Sequence, residues 1–303
     1  MKVALTGATG FLGRPLVAHL HALGHQCVVL SRDPQRARRA FSPAVAVAPM
    51  DRLPPCEAVI HLAGESVVGL WTPWKRRAIL ASRVAGTRRL IAAMRELSSP
   101  PRIFLCASAI GLYGHRPGEE LVESSPPDPR DRFRAQVCRA WEAAAREAED
   151  IGARVTLLRL GNVMDPSGGF LGGLLPLYRC GASFMFGDAD ACLSWISLED
   201  AVRLIGFALE KATLGGPVNV VAPAAVSQRA LAQTLAVRLG SKVRGRVPAR
   251  ALRLLLGEFS AALLDDQNVV PQRALAAGFR FAHPAWRSCL EAMFGARDGV
   301  LPR

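Results

Sequence analysis

The chain has 303 residues, of which 50% are apolar and 21% are charged, with 27 glycines and 21 prolines. This balance excludes a disordered tail, a collagen and a coiled coil. The net charge of +13 raises nucleic-acid binding as an alternative, but no basic run alternates with aromatic residues, so no nucleic-acid partner is predicted. The seven cysteines form neither a CxxC pair nor a zinc spacing, which predicts no metal site and the reduced thiols of a cytoplasmic protein. No apolar stretch reaches the roughly 18 residues of a membrane-spanning helix, so no membrane partner is predicted.

Strand and helix patterns alternate through the first half of the chain. Short apolar runs that end at turns predict strands, and apolar residues at helical spacing predict helices between them. The predicted order is strand 3–5, helix 11–23, strands 27–30 and 58–62, helix 73–97, strand 103–106, helix 137–149 and strand 155–158. Repetition of strand, helix and strand predicts right-handed crossovers. The fold class is therefore α/β, a doubly wound parallel sheet with helices on both faces.

The pattern becomes less regular after Gly161, where a glycine-rich connection begins. Ser227 is a plausible N-cap for a helix over 227–239, and further helices are predicted over 248–264 and after Pro284. We therefore expect a smaller C-terminal substrate lobe that covers the carboxyl ends of the strands. The predicted division is a dinucleotide-binding domain at 1–165, with part of 190–222 packing on it, and a substrate-side lobe at 166–303.

Three glycines lie between the first predicted strand and the first predicted helix. Gly7, Gly10 and Gly13 suit a turn where a pyrophosphate approaches the backbone closely, at a helix N-terminus that supplies free N–H groups. A purely structural glycine turn is the alternative, but the position after the first strand favours cofactor binding. The same loop contributes Thr9, Phe11 and Leu12 to the predicted cofactor site.

The end of the second strand carries no acid where an NAD site would place one. Ser31 and Arg32 stand there instead, and they offer a hydroxyl and a charged fork to a 2′-phosphate. Arg36 and Arg38 are expected to assist, and Asp33 is expected to cap the following helix. The sequence therefore predicts that NADP(H) is preferred over NAD(H).

The chain resembles the extended short-chain dehydrogenase/reductase superfamily in TGATGFLG (6–13), SR (31–32) and HLAGE (61–65). More narrowly, it resembles an atypical NAD(P)-dependent epimerase-like family, described as nucleoside-diphosphate-sugar epimerase-like or as cell-division-inhibitor homologues. The matching stretches follow one another along nearly the whole chain and include a characteristic C-terminal segment, 247–294. They are HLAGESV (61–67), 71–74, ASR (81–83), CASAIGLYG (106–114), 119–121, VCRAWE (137–142), LRLG (158–161), LSWISLED (193–200), 218–219, 222–223, 247–248, 255–258 and 270–279.

This resemblance implies a Rossmann-type fold and a bound NADP(H). Gly7, Gly10 and Gly13 would hold the pyrophosphate, while Ser31 and Arg32 would hold the 2′-phosphate. Other family positions match three residues whose roles are implied in the same way: Leu62 and Ala63 would flank the adenosine side, and Arg83 would reach the cofactor from the next helix. For Arg83, a solvated helix residue is the alternative.

The usual catalytic pair of this superfamily, a tyrosine followed four residues later by a lysine, is missing. Neither Tyr113 nor Tyr178 has a lysine at that offset, and the matched helix places Arg134 and Cys138 where the pair would stand. Ser108 and Tyr113 are the remaining candidates for catalysis, in the loop where substrate carbonyls are normally polarised.

Two points about this loop stay open. The spacing does not decide whether Ser108 or Ala109 faces the nicotinamide, and Tyr113 could have a packing role alone. The expected function is an NADP(H)-binding oxidoreductase or epimerase-like enzyme, with a sugar nucleotide or a carbonyl compound as small-molecule substrate, and a homodimer is not excluded. The alternative is a catalytically weak or inactive NADP(H)-binding regulatory or interaction protein.

Overall fold

The structure is a computed structural model that describes residues 1–130 and 132–295. Residues 296–303 of the expected C-terminal lobe therefore lie outside the described residues. The strands are β1 Lys2–Thr6, β2 Gln26–Ser31, β3 Ala46–Pro49, β4 Ala58–His61, β5 Ile103–Ala109, β6 Glu120–Leu121, β7 Arg154–Leu160, β8 Asn162–Asp165, β9 Phe184–Phe186, β10 Cys192–Leu193, β11 Trp195–Ser197, β12 Gly216–Val220, β13 Val226–Ser227, β14 Gly245–Val247 and β15 Asn268–Val269. The α-helices are α1 Gly13–Ala22, α2 Pro34–Arg38, α3 Pro73–Arg95, α4 Phe133–Arg146, α5 Gly169–Arg179, α6 Leu198–Glu210, α7 Gln228–Arg238, α8 Ala249–Leu256, α9 Ala261–Leu264, α10 Gln272–Ala276 and α11 Trp286–Phe294.

A seven-stranded parallel sheet forms the centre of the molecule, in the order β12-β7-β5-β4-β1-β2-β3. The strand order reverses between β1 and β4, which opens a crevice at their carboxyl ends, where doubly wound folds bind their ligands. The predicted fold class is therefore confirmed. The sequence patterns did not predict β3 or β12 as strands, and β12 extends the sheet with a segment far along the chain, paired to β7.

Successive residues of each central strand face opposite sides of the sheet, as strand geometry requires. Val3 and Leu5 pack into a core with α1 and α6, whereas Ala4 packs into a second core with α3 and α4. Both faces are thus buried under helices, which explains why these strands read as continuous apolar runs in the sequence.

The second half of the chain adds a lobe of short strand pairs and helices. Parallel pairs join β8 to β11, β9 to β14 and β6 to β15, while β10 and β13 are antiparallel. Its core contains Tyr178, Trp195 and Trp286, and the two indole rings meet edge to face with centroids 5.3 Å apart. This lobe lies beside the carboxyl ends of β5 and β7, and its residues form one wall of the cleft described below.

Two predicted helix starts are confirmed, and one predicted helix is wrong. Asp33 accepts a hydrogen bond from the Arg36 backbone N–H at 3.0 Å, and Ser227 caps α7 in the same way. The single helix expected over 248–264 is interrupted, because Gly257 has a φ of +55° that ends α8. A short 3₁₀ turn follows, and then α9. Over the described residues, no helix combines the length and the apolar character needed to cross a membrane.

Candidate cofactor and substrate clefts

The turn between β1 and α1 packs tightly against the chain that follows β4. Gly7 has a φ of +72°, and a Cβ there would lie 2.7 Å from the Leu62 carbonyl carbon. A Cβ on Gly13 would lie 2.4 Å from the Gly7 carbonyl oxygen. Apart from its chain neighbours, a Cβ on Gly10 would come close to one described atom, that same oxygen at 3.2 Å, so this glycine otherwise borders open space. Gly7 and Gly13 are therefore required by the fold, whereas Gly10 keeps a cleft open.

This phosphate cleft, with a volume of about 420 Å³, is bordered by Gly7, Gly10 and three arginines, Arg14, Arg32 and Arg36. Over the described part of the chain, none of the three guanidinium groups forms a salt bridge. The cleft therefore holds three arginines against one carboxylate, Asp33, and this excess of positive charge next to a helix N-terminus suits a phosphate-bearing ligand.

Arg14 was not predicted as a cofactor residue, whereas Arg38 was expected to assist; of the two, Arg14 borders the phosphate cleft and Arg38 does not. Arg14 lies in the first turn of α1, directly after the last loop glycine, and its Nε donates to the Thr9 carbonyl at 3.1 Å. Arg38 is exposed and is not among the described residues that border the phosphate cleft. The carboxylate of Asp33 also borders the cleft, but one of its oxygens caps α2.

Ser31 borders the same cleft, and its hydroxyl is engaged in the local turn. It donates to the Asp33 carbonyl at 3.0 Å and accepts from the Asp33 backbone N–H at 3.2 Å. Thr9 and Ala63 also border the cleft, and Leu62 borders both this cleft and the substrate cleft described below. These predicted cofactor residues are therefore brought together around one groove.

Phe11 and Leu12 have a different position from the other loop residues. The Phe11 ring packs on the glycine-rich connection, and a Cβ on Gly168 or Gly169 would lie 2.6 or 2.7 Å from the ring. Leu12 packs against the core shared by α1 and α6. Neither Phe11 nor Leu12 is among the described residues that border the phosphate cleft, so only their backbone, as part of the loop, is left to contribute to cofactor binding.

Another cleft, of about 570 Å³, continues from the phosphate cleft and shares Arg32 and Ala63 with it. Buried His61 borders it, with Nδ1 2.6 Å from the Thr6 hydroxyl oxygen. The Nε2 atom of His61 has no hydrogen-bond partner among the described residues, and burial lowers the pKa of the imidazole to about 4. The ring is therefore neutral at pH 7.

The substrate cleft, of about 350 Å³, lies at the carboxyl ends of β4, β5 and β7. Ser108 and Ala109 both border it, so the structure does not select one of them alone. Arg83, Arg134 and Cys138 border it as well. The structure thus brings the two residues that stand in place of the missing pair to the same cleft as Ser108.

Tyr113 is not among the described residues that border the substrate cleft. Its side chain is fully buried, its hydroxyl donates to the Asn219 amide oxygen at 2.7 Å, and Arg159 Nη1 donates to it at 2.8 Å. Burial raises the pKa of the phenol despite these polar contacts. The structure therefore does not bring Tyr113 together with Ser108, and both hydrogen-bonding positions of its hydroxyl are occupied.

Ser108 is joined to a buried ion pair that the sequence analysis missed. Glu142 accepts from the Ser108 hydroxyl at 2.7 Å, while Arg159 donates from Nε and Nη2 to its two oxygens at 2.9 and 3.0 Å. Burial opposes the charge of Arg159, but the hydrogen bonds and the charge of Glu142 raise the pKa of its guanidinium. A charged residue inside the apolar strand β7 was the signal that could have indicated this pair.

The direction of the Ser108 hydrogen bond follows from the chemistry of its partner. A carboxylate has acceptors only, so the Ser108 hydroxyl must donate its proton to Glu142. The lone pairs of Ser108 are left for the substrate cleft that it borders. In this arrangement the Ser108 oxygen is free to accept a hydrogen bond from the cleft side, while the carbonyl-polarising role expected from the sequence stays a prediction.

Two arginines that border the substrate cleft, Arg83 and Arg134, differ in the groups that they contact. Arg134 forms an ion pair with Asp265. The Arg83 guanidinium donates to the Glu65 carbonyl at 3.0 Å and lies 4.9 Å from the Trp141 ring centroid. Burial lowers the pKa of Arg83 and raises that of Cys138 to about 11, so the thiol is neutral at pH 7. Arg83 therefore supplies a positive charge beside the position where the catalytic lysine is missing.

Comparisons with known proteins agree with this geometry. Residues 3–221 match the NAD dependent epimerase/dehydratase family, and residues 247–293 match a domain of unknown function, DUF1731. The epimerase family protein YfhF of Bacillus subtilis is 32% identical over 310 residues, covering 99% of this chain and 100% of that protein. The human epimerase family protein SDR39U1 is 31% identical over 295 residues, covering 96% and 99%.

Solved structures extend the likeness to the whole fold. The crystal structure of human SDR39U1 with NADPH superposes with a TM-score of 0.85 at 29% identity, covering 97% of this chain and 99% of that one. A Thermus thermophilus UDP-glucose 4-epimerase complex with NAD reaches a TM-score of 0.75 at 20% identity, which shows a shared fold alone. The predicted resemblance is confirmed, and the chain belongs to the NAD dependent epimerase/dehydratase family.

Proposed function

We propose that the chain is an NADP(H)-binding oxidoreductase or epimerase-like enzyme of the extended short-chain dehydrogenase/reductase type, acting on a small molecule. One observation carries the proposal: Arg14, Arg32 and Arg36 surround an open phosphate cleft at the N-terminus of α1, without a salt bridge among the described residues. A dinucleotide with a 2′-phosphate supplies the negative charge that such a cleft lacks.

The residues present fit this cofactor. The space in front of Gly10 is where a pyrophosphate would bind the loop backbone, and Arg32 is the main candidate to hold the 2′-phosphate. Leu62 separates the phosphate cleft from the substrate cleft, so we expect the nicotinamide end to pass beside it. When bound, the nicotinamide accepts or supplies a hydride. The crystal structure of the human relative SDR39U1 with NADPH supports the choice.

In the substrate cleft, we assign Arg83 the electrostatic role that a lysine has in related enzymes. Its guanidinium lies near Cys138, the residue in the lysine position, and reaches the cleft from α3 instead of α4. Ser108 would orient the reacting group of the substrate, with Glu142 fixing its hydroxyl. A cytoplasmic location is part of the proposal, supported by seven free cysteines, all within the described residues.

A second candidate function has one observation in its favour. Tyr113, the only tyrosine of the predicted loop, is buried with both sides of its hydroxyl bonded, so no phenol borders the described substrate cleft. A chain that binds NADP(H) without rapid turnover, as a regulatory or interaction protein, would have this arrangement. Turnover measured over a panel of alcohols, carbonyl compounds and sugar nucleotides distinguishes the two.

Replacing Gly10 with valine tests the cofactor site itself. A side chain at Gly10 would press on the Gly7 carbonyl oxygen, 3.2 Å from its Cβ, and would otherwise fill the space needed by the pyrophosphate, so Gly10→Val should fold with at most a small loss of melting temperature. We expect NADPH to stabilise the unmodified protein by about 2.7 kcal/mol at a hundredfold excess over Kd, and Gly10→Val not at all. Gly173→Val, at an exposed helical glycine with nothing within 4 Å, is the matched control and should respond like the unmodified protein. Stabilisation of Gly10→Val by NADPH would contradict the assignment.

A further inference from the structure

The inner walls of the substrate cleft are mainly apolar and partly aromatic. Trp71 and Phe133 meet edge to face with ring centroids 5.5 Å apart, and Val67 and Phe259 border the cleft with them. Such walls bind the hydrocarbon part of a ligand, because removing apolar surface from water makes the free energy of binding more favourable. The side chains of Val67, Trp71, Phe133 and Phe259 offer few partners to the hydroxyl groups of a sugar, so the polar residues of the cleft lie elsewhere along its wall.

The arginines at this aromatic part of the cleft are already paired. Arg76 lies 4.2 Å from the Phe133 ring centroid, and its Nη1 is 2.7 Å from a carboxylate oxygen of Glu258. Arg134 is paired with Asp265. A nucleoside diphosphate bound here would have to displace one of these carboxylates, because a diphosphate needs cations or N–H donors of its own. The charge pattern therefore disfavours a diphosphate beside Trp71 and Phe133, and over the described residues it leaves Arg83 as the arginine of the cleft without a salt bridge.

Apolar side chains continue from the cleft onto the surface around it. We call this surface the apolar rim; it consists of Val67, Val68 and Leu70, before α3, and Leu254 and Leu255, in α8. The exposed fractions of Leu70 and Leu254 are 60% and 86%. Leu70 lies beside the end of α8, because its Cδ2 is 3.9 Å from the position of a Cβ on Gly257, and Val67 borders the cleft itself. An exposed apolar surface that is continuous with a cleft marks a binding surface.

Ser108, at the inner end of the cleft, presents a hydrogen-bond acceptor to the ligand. Ser108 donates its proton to Glu142, which Arg159 holds as an ion pair, so the serine offers lone pairs to the ligand. A ligand hydroxyl can donate to these lone pairs, whereas a ketone oxygen cannot. The polar group that fits against Ser108 is therefore an alcohol.

We propose that the substrate cleft binds a secondary alcohol with an extended apolar body, its hydroxyl donating to Ser108 and its hydrocarbon chain lying along Trp71 and Phe133 toward the apolar rim. This inference rests on the proposed function for the presence of NADP(H) beside the cleft. It narrows the substrate class from sugar nucleotides and carbonyl compounds to apolar alcohols.

Calorimetric titration with 2-alkanols from 2-butanol to 2-nonanol tests the proposal directly, with and without saturating NADP⁺. Affinity should rise by about fourfold for each added methylene that enters the cleft, and UDP-glucose should not compete. The matching 2-alkanone should bind more weakly than each 2-alkanol, and Ser108→Ala should remove that difference. Affinity independent of chain length, or UDP-glucose binding where 2-nonanol does not, would overturn the proposal.

Two valine variants of similar exposure locate the binding surface. Val67, 39% exposed, borders the cleft, whereas Val237, 41% exposed, lies on α7 and does not border the described cleft. Val67→Ser should weaken 2-nonanol binding several-fold and leave 2-butanol unchanged, and Val237→Ser should change neither. Equal losses of 2-nonanol affinity in both variants would overturn the placement of the ligand's hydrocarbon chain beside Val67.

NADP⁺ binding is measured separately in the same protein, so the two proposals fail in different ways. If NADP⁺ binds and the alkanols do not, the proposed function stands and the substrate class is wrong. If the alkanols bind as expected and NADP⁺ does not, the proposed function is wrong and the cleft still has the inferred specificity.

Discussion

Replacing Arg32 with alanine should remove most of the preference for NADPH over NADH. Arg32 borders both the phosphate cleft and the cleft that continues from it, and it forms no salt bridge over the described residues. A hydrogen bond to a charged group contributes about 1.5–3 kcal/mol, which corresponds to roughly 10- to 160-fold in Kd. Arg14 and Arg36 remain in the variant, so a small preference should persist. Affinity for NADH, which lacks the 2′-phosphate, should be unchanged.

Calorimetric titrations of NADPH and NADH into three proteins provide the assay. Arg38→Ala is the matched control for Arg32→Ala, because Arg38 is exposed on the same short segment but is not among the described residues bordering the phosphate cleft. The preference of the unmodified protein should also decrease as salt is added, since screening weakens charge attraction at an exposed site. Equal affinity of the unmodified protein for NADPH and NADH would refute the reasoning, as would an equal effect of the two substitutions.

Three further predictions concern the buried polar groups. Arg159→Leu leaves Glu142 buried without its partner and should lower the free energy of unfolding in urea by about 3–5 kcal/mol, whereas replacing both residues by leucine should recover most of the loss; a cost below about 1 kcal/mol for the single variant would contradict the ion pair. Because burial lowers the pKa of His61 to about 4 from 6.5, the unfolded chain takes up a proton between these values that the folded chain does not, so stability should fall by about 3 kcal/mol as the pH falls through this window. His61→Gln should lose this contribution, and an identical pH dependence in both proteins would show that the imidazole is not held neutral. Tyr113→Phe should cost about 1–3 kcal/mol of stability without changing NADPH affinity; a loss of kcat at unchanged stability would restore Tyr113 as a proton donor.

The central sheet and the cofactor loop were predictable because local patterns determine them. A parallel strand buried on both faces reads as an apolar run, and the loop needs glycine at Gly7 and Gly13 because neighbouring backbone leaves no space for a Cβ. The last sheet strand, β12, was not predictable in this way. It joins β7 from a position more than 50 residues later in the chain, and only tertiary pairing shows that it belongs to this sheet.

The substrate cleft was less predictable, because it depends on the directions of side chains. Tyr113 follows β5 closely, but a 3₁₀ turn at Ile110–Leu112 comes between them, and its phenol lies against Asn219 of β12 instead of in the cleft. Glu142 and Arg159 are 17 residues apart and meet only when α4 packs on the sheet. A count of residues along the chain could place neither contact.

The partners of Glu123 have a consequence for synthesis of the chain on the ribosome. This buried carboxylate accepts from the Asn219 backbone N–H at 3.0 Å and from the Arg273 backbone N–H at 3.3 Å, groups that lie 96 and 150 residues later. Burial of this carboxylate is unfavourable until both donors are in place, so it can be completed only after residue 273 has left the ribosome. The C-terminal segment thus supplies the last donor to a carboxylate that also binds the backbone of β12, the edge strand of the sheet.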